Sequence, residues 1–208
     1  MKNYLNLIKY TQQILLVISV GIMLVLPMLL VFKEDIFSNA ITQNLYFTSH
    51  LFLFFVMMIR PLADIFTSNK WIRPLVILRK GAGVLSASII VSFIFAKLII
   101  DPLTYLNSIG TLRYWAMQDY AILGHMADLS AILLIITSNS LSKKILGPWW
   151  KRIQKLAYVY FYGSALYVFL SYGNVDQAIA IVLVTFVTVL AFVKNRERNA
   201  LTLERSTA

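Results

Sequence analysis

Six apolar runs separated by short, mostly basic connections constrain this chain more than any motif in it. They fall at about residues 14–32, 41–59, 81–100, 120–136, 156–172 and 178–193, each close to the ~20 residues that a helix needs to cross a bilayer core. Backbone N–H and C=O groups in lipid must be satisfied within the segment, so the runs predict helices. The fold class expected is all-α: a polytopic membrane protein built as one six-transmembrane-helix bundle over residues 1–208. With 59% of residues hydrophobic and 13% charged, against about 25% charged in an ordinary soluble domain, nearly the whole chain is committed to lipid or to helix–helix contact. Residues 199–208 show no apolar periodicity and predict a disordered tail.

The first run is read as a span and not as a cleaved signal, because no small-residue cleavage site follows Leu26-Pro27-Met28. Pro27 is expected to kink it. A net charge of +10 would suit a nucleic-acid binder, but the cations sit beside the apolar runs and read as topology determinants. All but three of the 19 lysines and arginines lie before the first run, in the 60–80 connection, in the 143–155 connection or after the last run; the exceptions are Lys33, Lys97 and Arg113. The positive-inside rule then places both termini and the 143–155 segment in the cytoplasm of a bacterial-type inner membrane. Tyr105, Tyr114 and Trp115, in the connection after the third run, are expected as interface anchors on the outer side. Small residues Gly81, Gly83, Ser86 and Ser88 at the start of the third run suggest close helix approach. Cysteine is absent, which excludes disulfides, thiol chemistry and iron–sulfur clusters. No phosphate-binding loop or dinucleotide fingerprint occurs, so any reductase chemistry needs a separate partner chain.

The segment TSNSLSKKILGPWWKRIQKLAY, Thr137 to Tyr158, sets Lys143, Lys144, Lys151, Arg152 and Lys155 around a Leu146-Gly147-Pro148 break and the Trp149-Trp150 pair. Leu146, Gly147, Trp150, Ile153, Lys155, Leu156 and Tyr158 resemble a signature of the ferric-reductase-like transmembrane family, most closely of the haem-binding membrane subunits that serve periplasmic methionine sulfoxide reductases. Arg60-Pro61-Leu62-Ala63, Arg79-Lys80 and Thr137-Ser138 match more weakly but in order, so the resemblance covers roughly residues 48–167. It implies b-type haem held by imidazoles between the third and fifth helices, with electrons passed from a cytoplasmic or quinone donor towards the outer face. The family's haem histidines fall on Phe93, Gln154 and Tyr167, and none is histidine here. Phe has no lone pair for iron, Gln is a poor haem ligand, and a Tyr phenolate favours ferric iron. The expectation is a diverged, haem-free scaffold, not itself an enzyme, acting as an accessory or interaction subunit beside a membrane or periplasmic protein partner and binding no nucleic acid.

His50 and His125 are the only histidines. Both belong to the outer leaflet of this topology, His50 in the second span and His125 in the fourth. They are read either as polar residues hydrogen-bonded to neighbours or as a relocated haem or quinone site. Asp128 lies near mid-membrane, one helical turn after His125, with Lys97 in the outer turn of the third span. A carboxylate there is costly, which leaves a proton or ion site, a structural interhelical hydrogen bond, or a polar pocket as readings. The aromatics Tyr158, Tyr160, Phe161, Tyr162, Tyr167, Phe169 and Tyr172 fit packing and an interfacial belt, or alternatively a quinone or porphyrin slot.

Overall fold

The computed structural model describes residues 1–32, 39–112, 114–116 and 120–207, and among them all regular structure is helical. The order is α1 (Lys2–Phe32), α2 (Asn39–Ile65), α3 (Ile72–Leu75), α4 (Leu78–Ile100), α5 (Pro102–Ile109), α6 (Ala121–Thr137), α7 (Ser140–Leu146), α8 (Pro148–Ile153), α9 (Leu156–Tyr172) and α10 (Val175–Thr207). Four helices among the described residues are long and apolar enough to cross a membrane: Lys2–Phe32, Ala40–Ile65, Ile72–Ile100 and Val175–Ala200. A fifth crossing is formed if α6 and α7 count as one broken span, bent by 96°. The protein is therefore an all-α, multi-pass membrane protein. Two expected outer cations, Lys33 and Arg113, lie outside the described residues.

Helix boundaries depart from the apolar runs in both directions. α1 begins at Lys2, because the polar lead-in contains no breaker and Tyr4 anchors it: its hydroxyl donates to Trp71 O at 2.9 Å and its ring meets the Trp71 edge at 4.9 Å. Pro27 is accommodated inside α1. The tail beyond Arg198, expected to be disordered, continues α10 as helix to Thr207; its Ala, Leu, Glu and Arg residues are good helix formers. Asp101 ends α4 and caps α5, its carboxylate accepting the Thr104 N–H at 3.0 Å. That bond stabilises the charged form and holds this carboxyl below its usual range.

Packing arranges α2, α4, α6, α9 and α10 as a ring in which each helix touches the next and α10 closes on α2. α1 lies outside the ring against α4, so α4 is covered on both sides and is the most buried helix. Close approach is visible at two glycines. A Cβ on Gly81 would meet Leu15 Cβ at 3.0 Å on α1, and one on Gly163 would meet Leu123 O at 2.9 Å across the α6–α9 contact. Ala127, Ala131 and Ala165 continue that small-residue seam, each essentially inaccessible. Without a hydrophobic drive between helices in lipid, such contacts and interhelical hydrogen bonds supply the adhesion. The principal bond cluster joins three helices. Ser49 Oγ (α2) donates to Ser86 O (α4) at 3.0 Å, while the Ser49 and Ser86 hydroxyls lie 3.3 and 3.0 Å from Tyr160 OH on α9.

Candidate functional site

The helix ring encloses a cavity of about 820 Å³, within the ~300–1,000 Å³ range of ligand sites. Its walls come from the start of α2, the end of α4, the start of α6, the end of α9 and the start of α10. It therefore sits at the end of the bundle that carries the α9–α10 turn, away from the basic α7–α8 segment. His50, Lys97, His125, Asp128 and Tyr167 all border it, so one cavity gathers site candidates separated by up to 117 positions in sequence.

His50 is oriented from its own helix. Its Nδ1 lies 2.9 Å from Tyr46 O, one turn back on α2. A carbonyl oxygen can only accept, so Nδ1 carries the proton and Nε2 presents a lone pair. Nε2 is buried and makes no hydrogen bond of normal geometry among the described residues, although the Ser164 backbone on α9 acts on the ring alongside the Tyr46 carbonyl. A backbone carbonyl behind one ring nitrogen is an arrangement common to metal-ligating imidazoles. The neighbouring residue fixes the register, since Ser49 is locked into the Ser86–Tyr160 cluster.

His125 is held by stacking. Its ring lies parallel to Tyr114 at 3.6 Å between centroids, with the Trp115 edge at 6.2 Å. Tyr114 and Trp115, expected as interface anchors, fold back onto the site, and Trp115 Nε1 donates to Ile109 O at 2.8 Å. Burial pushes the Tyr114 phenol upward, so it stays neutral beside the imidazole.

Asp128 shares the cavity-facing side of α6 with His125 and makes no side-chain hydrogen bond among the described residues. Interhelical hydrogen bonding is thus not what holds it. Lys97 acts on it electrostatically but is not within ion-pair distance; the ion pair found among the described residues is Arg60–Asp64, at 3.1 Å. Asp128 and Lys97 thus border the same cavity without touching.

The positions at which the family resemblance would put haem do not assemble a site. Phe93 is buried, its ring stacked on Tyr46 at 4.6 Å. Gln154 lies before α9 begins and donates from Nε2 to Thr137 Oγ1 at 3.3 Å, beside Trp150 Nε1 donating to Thr137 O at 2.9 Å. Tyr167 alone reaches the cavity. Sequence reasoning missed Tyr46, Ser49 and Gln177 as parts of the site's frame, while Tyr160 stands out in the sequence only within an aromatic set. Hydroxyls inside apolar runs were the available signal, but their partners are on other helices.

No family model matches the chain, and neither a curated protein nor a solved structure matches it.

Proposed function

We propose that this is a six-span protein of a bacterial-type inner membrane, with α6 and α9 completing the crossings and both termini and the α7–α8 segment cytoplasmic. On this reading it is a diverged ferric-reductase-like scaffold that holds haem b between His50 and His125, away from the family positions, and serves as the membrane subunit of a redox complex. The observation that supports the proposal is that His50, its Nδ1–H bonded to Tyr46 O and its Nε2 without a hydrogen bond of normal geometry, borders one cavity with His125. Haem held there would relay single electrons. The chain's own part is to hold two neutral imidazoles, to offer the Lys97 charge to anionic groups of the ligand, and to keep a proton-exchanging carboxyl, Asp128, in the same space. Reducing equivalents have to come from a partner, since the sequence contains no nucleotide- or flavin-binding motif.

An optical spectrum of the purified protein with and without dithionite tests this. A b-type spectrum that disappears in His50→Ala and His125→Ala, and persists in Gln154→Ala and Tyr167→Phe, is the expected result. Haem that survives both histidine substitutions would overturn the assignment. A colourless protein would favour the second reading, a haem-free accessory subunit, which Phe93 stacked on Tyr46 and Gln154 tied to Thr137 support.

A further inference from the structure

The end of the bundle opposite the cavity gathers arginines from three helices. Ser49 of α2 bonds Ser86 of α4, and Val56 of α2 stands 3.7 Å from where a Cβ on Gly83 of α4 would lie. The two helices are therefore antiparallel, and one further turn along each brings Arg60 level with Arg79. Arg79, in the first turn of α4, is partly buried and makes no hydrogen bond or ion pair among the described residues. The side chains that act on it are Tyr158, at the start of α9, and the like-charged Arg60. Arg60 is bound through Nε alone, to Asp64 Oδ2 at 3.1 Å, which leaves its two terminal nitrogens without a protein acceptor among the described residues. Arg198 of α10 donates to Asp64 O at 2.8 Å and so brings a third guanidinium to the same place. Three cations thus share one carboxylate, and that carboxylate is taken up by Arg60 and lies beyond ion-pair distance of Arg79.

A partly buried guanidinium beside another cation is unfavourable unless an anion accompanies it. Its position says which anion. Arg60 directly follows the apolar run 41–59 and Arg79 lies just before the run 81–100, so both stand at the level where a span leaves hydrocarbon for headgroups. Beside them, Tyr158 and Val159 of α9 are 40% and 36% exposed, an apolar flank against which an acyl chain fits. We propose that Arg60 and Arg79, on facing turns of α2 and α4, form a site for the phosphate of an anionic phospholipid, with the Tyr158 hydroxyl as a neighbouring donor and the acyl chains lying along the lipid-facing sides of the helices. A guanidinium presents paired N–H groups that match two phosphate oxygens, and basic recesses between spans at a membrane surface recur as headgroup sites. A zwitterionic lipid is disfavoured, because its ammonium adds another cation where positive charge is already in excess.

The inference is independent of the haem reading, since it concerns the other end of the bundle and its test counts lipid. The purified full chain is titrated in detergent with dioleoyl-phosphatidylglycerol and, separately, with dioleoyl-phosphatidylcholine, and bound lipid is measured by native mass spectrometry. Phosphatidylglycerol should be retained in preference to phosphatidylcholine. Arg79→Gln and Arg60→Gln should each weaken its binding about tenfold, as the loss of a charged hydrogen bond does, while Lys144→Gln, in the basic α7–α8 segment, should leave it unchanged. If Arg79→Gln does not fold, Arg60→Gln, on an exposed side chain, decides alone. Equal retention of the two lipids, no retained phosphatidylglycerol, or an equal loss from Lys144→Gln would overturn the site. Displacement of the lipid by inorganic phosphate would overturn the lipid assignment in favour of a soluble anion, whatever the haem spectrum shows.

Discussion

At the scale of single residues, the site is defined by groups whose bonding is incomplete. Asp128 is the clearest. A carboxyl at the depth expected from the sequence would cost roughly 2.5–3.5 kcal/mol on insertion scales, and no protein hydrogen bond among the described residues offsets such a cost. Asp128→Leu should therefore leave the melting temperature in detergent unchanged or higher, and Asp128→Asn should be equally well tolerated. A clear fall in stability for the Leu variant, rescued by Asn, would mean that the carboxyl has a structural hydrogen-bond partner after all. His50 differs in kind. Its Tyr46 carbonyl bond is local, four residues back, whereas what Nε2 faces is set by the other helices, Ser164 of α9 included. The histidines and the acid could be singled out from sequence because such residues are rare in apolar runs. Gln177 could not, since an amide beside a turn reads as ordinary interfacial polarity.

At the scale of elements, α6 and α9 show how adhesion without a hydrophobic drive is achieved. Gly124 and Gly163 face each other's helices, a Cβ on Gly124 meeting the Tyr167 ring at 3.4 Å and one on Gly163 meeting Leu123 O at 2.9 Å. The first neighbour is a side chain that can yield; the second is backbone. Gly163→Ala should therefore cost about 1–3 kcal/mol through overpacking, measured as a lower melting temperature in detergent. Gly21 on α1 faces open space, with nothing within 4 Å of where a Cβ would stand, and Gly21→Ala should be neutral or stabilising by up to about 1 kcal/mol, from helix propensity. Equal losses at both positions would refute the close α6–α9 contact. The basic α7–α8 segment is stabilised in another way, with Arg152 over the Trp149 ring at 4.5 Å and Lys143 over Trp150 at 5.4 Å. Asn139 caps α7 by accepting Ser142 N–H at 2.7 Å.

At the scale of the whole molecule, the ring of five helices with α1 outside gives the cavity and the basic segment opposite ends of one bundle. Charge asymmetry then predicts which end meets the cytoplasm. Single cysteines introduced into this cysteine-free chain provide the measurement. Lys144→Cys should be labelled by a membrane-impermeant maleimide only after the membrane is opened, and Leu112→Cys, on a residue 92% exposed near the cavity end, should be labelled in intact cells. The reverse pattern would invert the topology and put the cavity on the cytoplasmic side.

The apolar runs sufficed to give an all-helical membrane protein, because lipid leaves the backbone no alternative to local hydrogen bonding, and the distribution of lysine and arginine sets the expectation of which end is cytoplasmic. The boundaries at Lys2 and Thr207 escaped, since a helix once started continues through polar residues that carry no apolar signal. Which face of each helix turns inward was decided by the tertiary structure. In soluble proteins, a polar face and an apolar face answer that question; in a bilayer, both sides of α6 and α9 are mostly apolar, and only a few polar residues such as His125 and Asp128 mark the inward side. The gathering of His50 and His125 at one cavity and of Ser49 with Ser86 and Tyr160 depends on steric fit between small residues and on hydrogen bonds across helices, and neither is visible along a single segment.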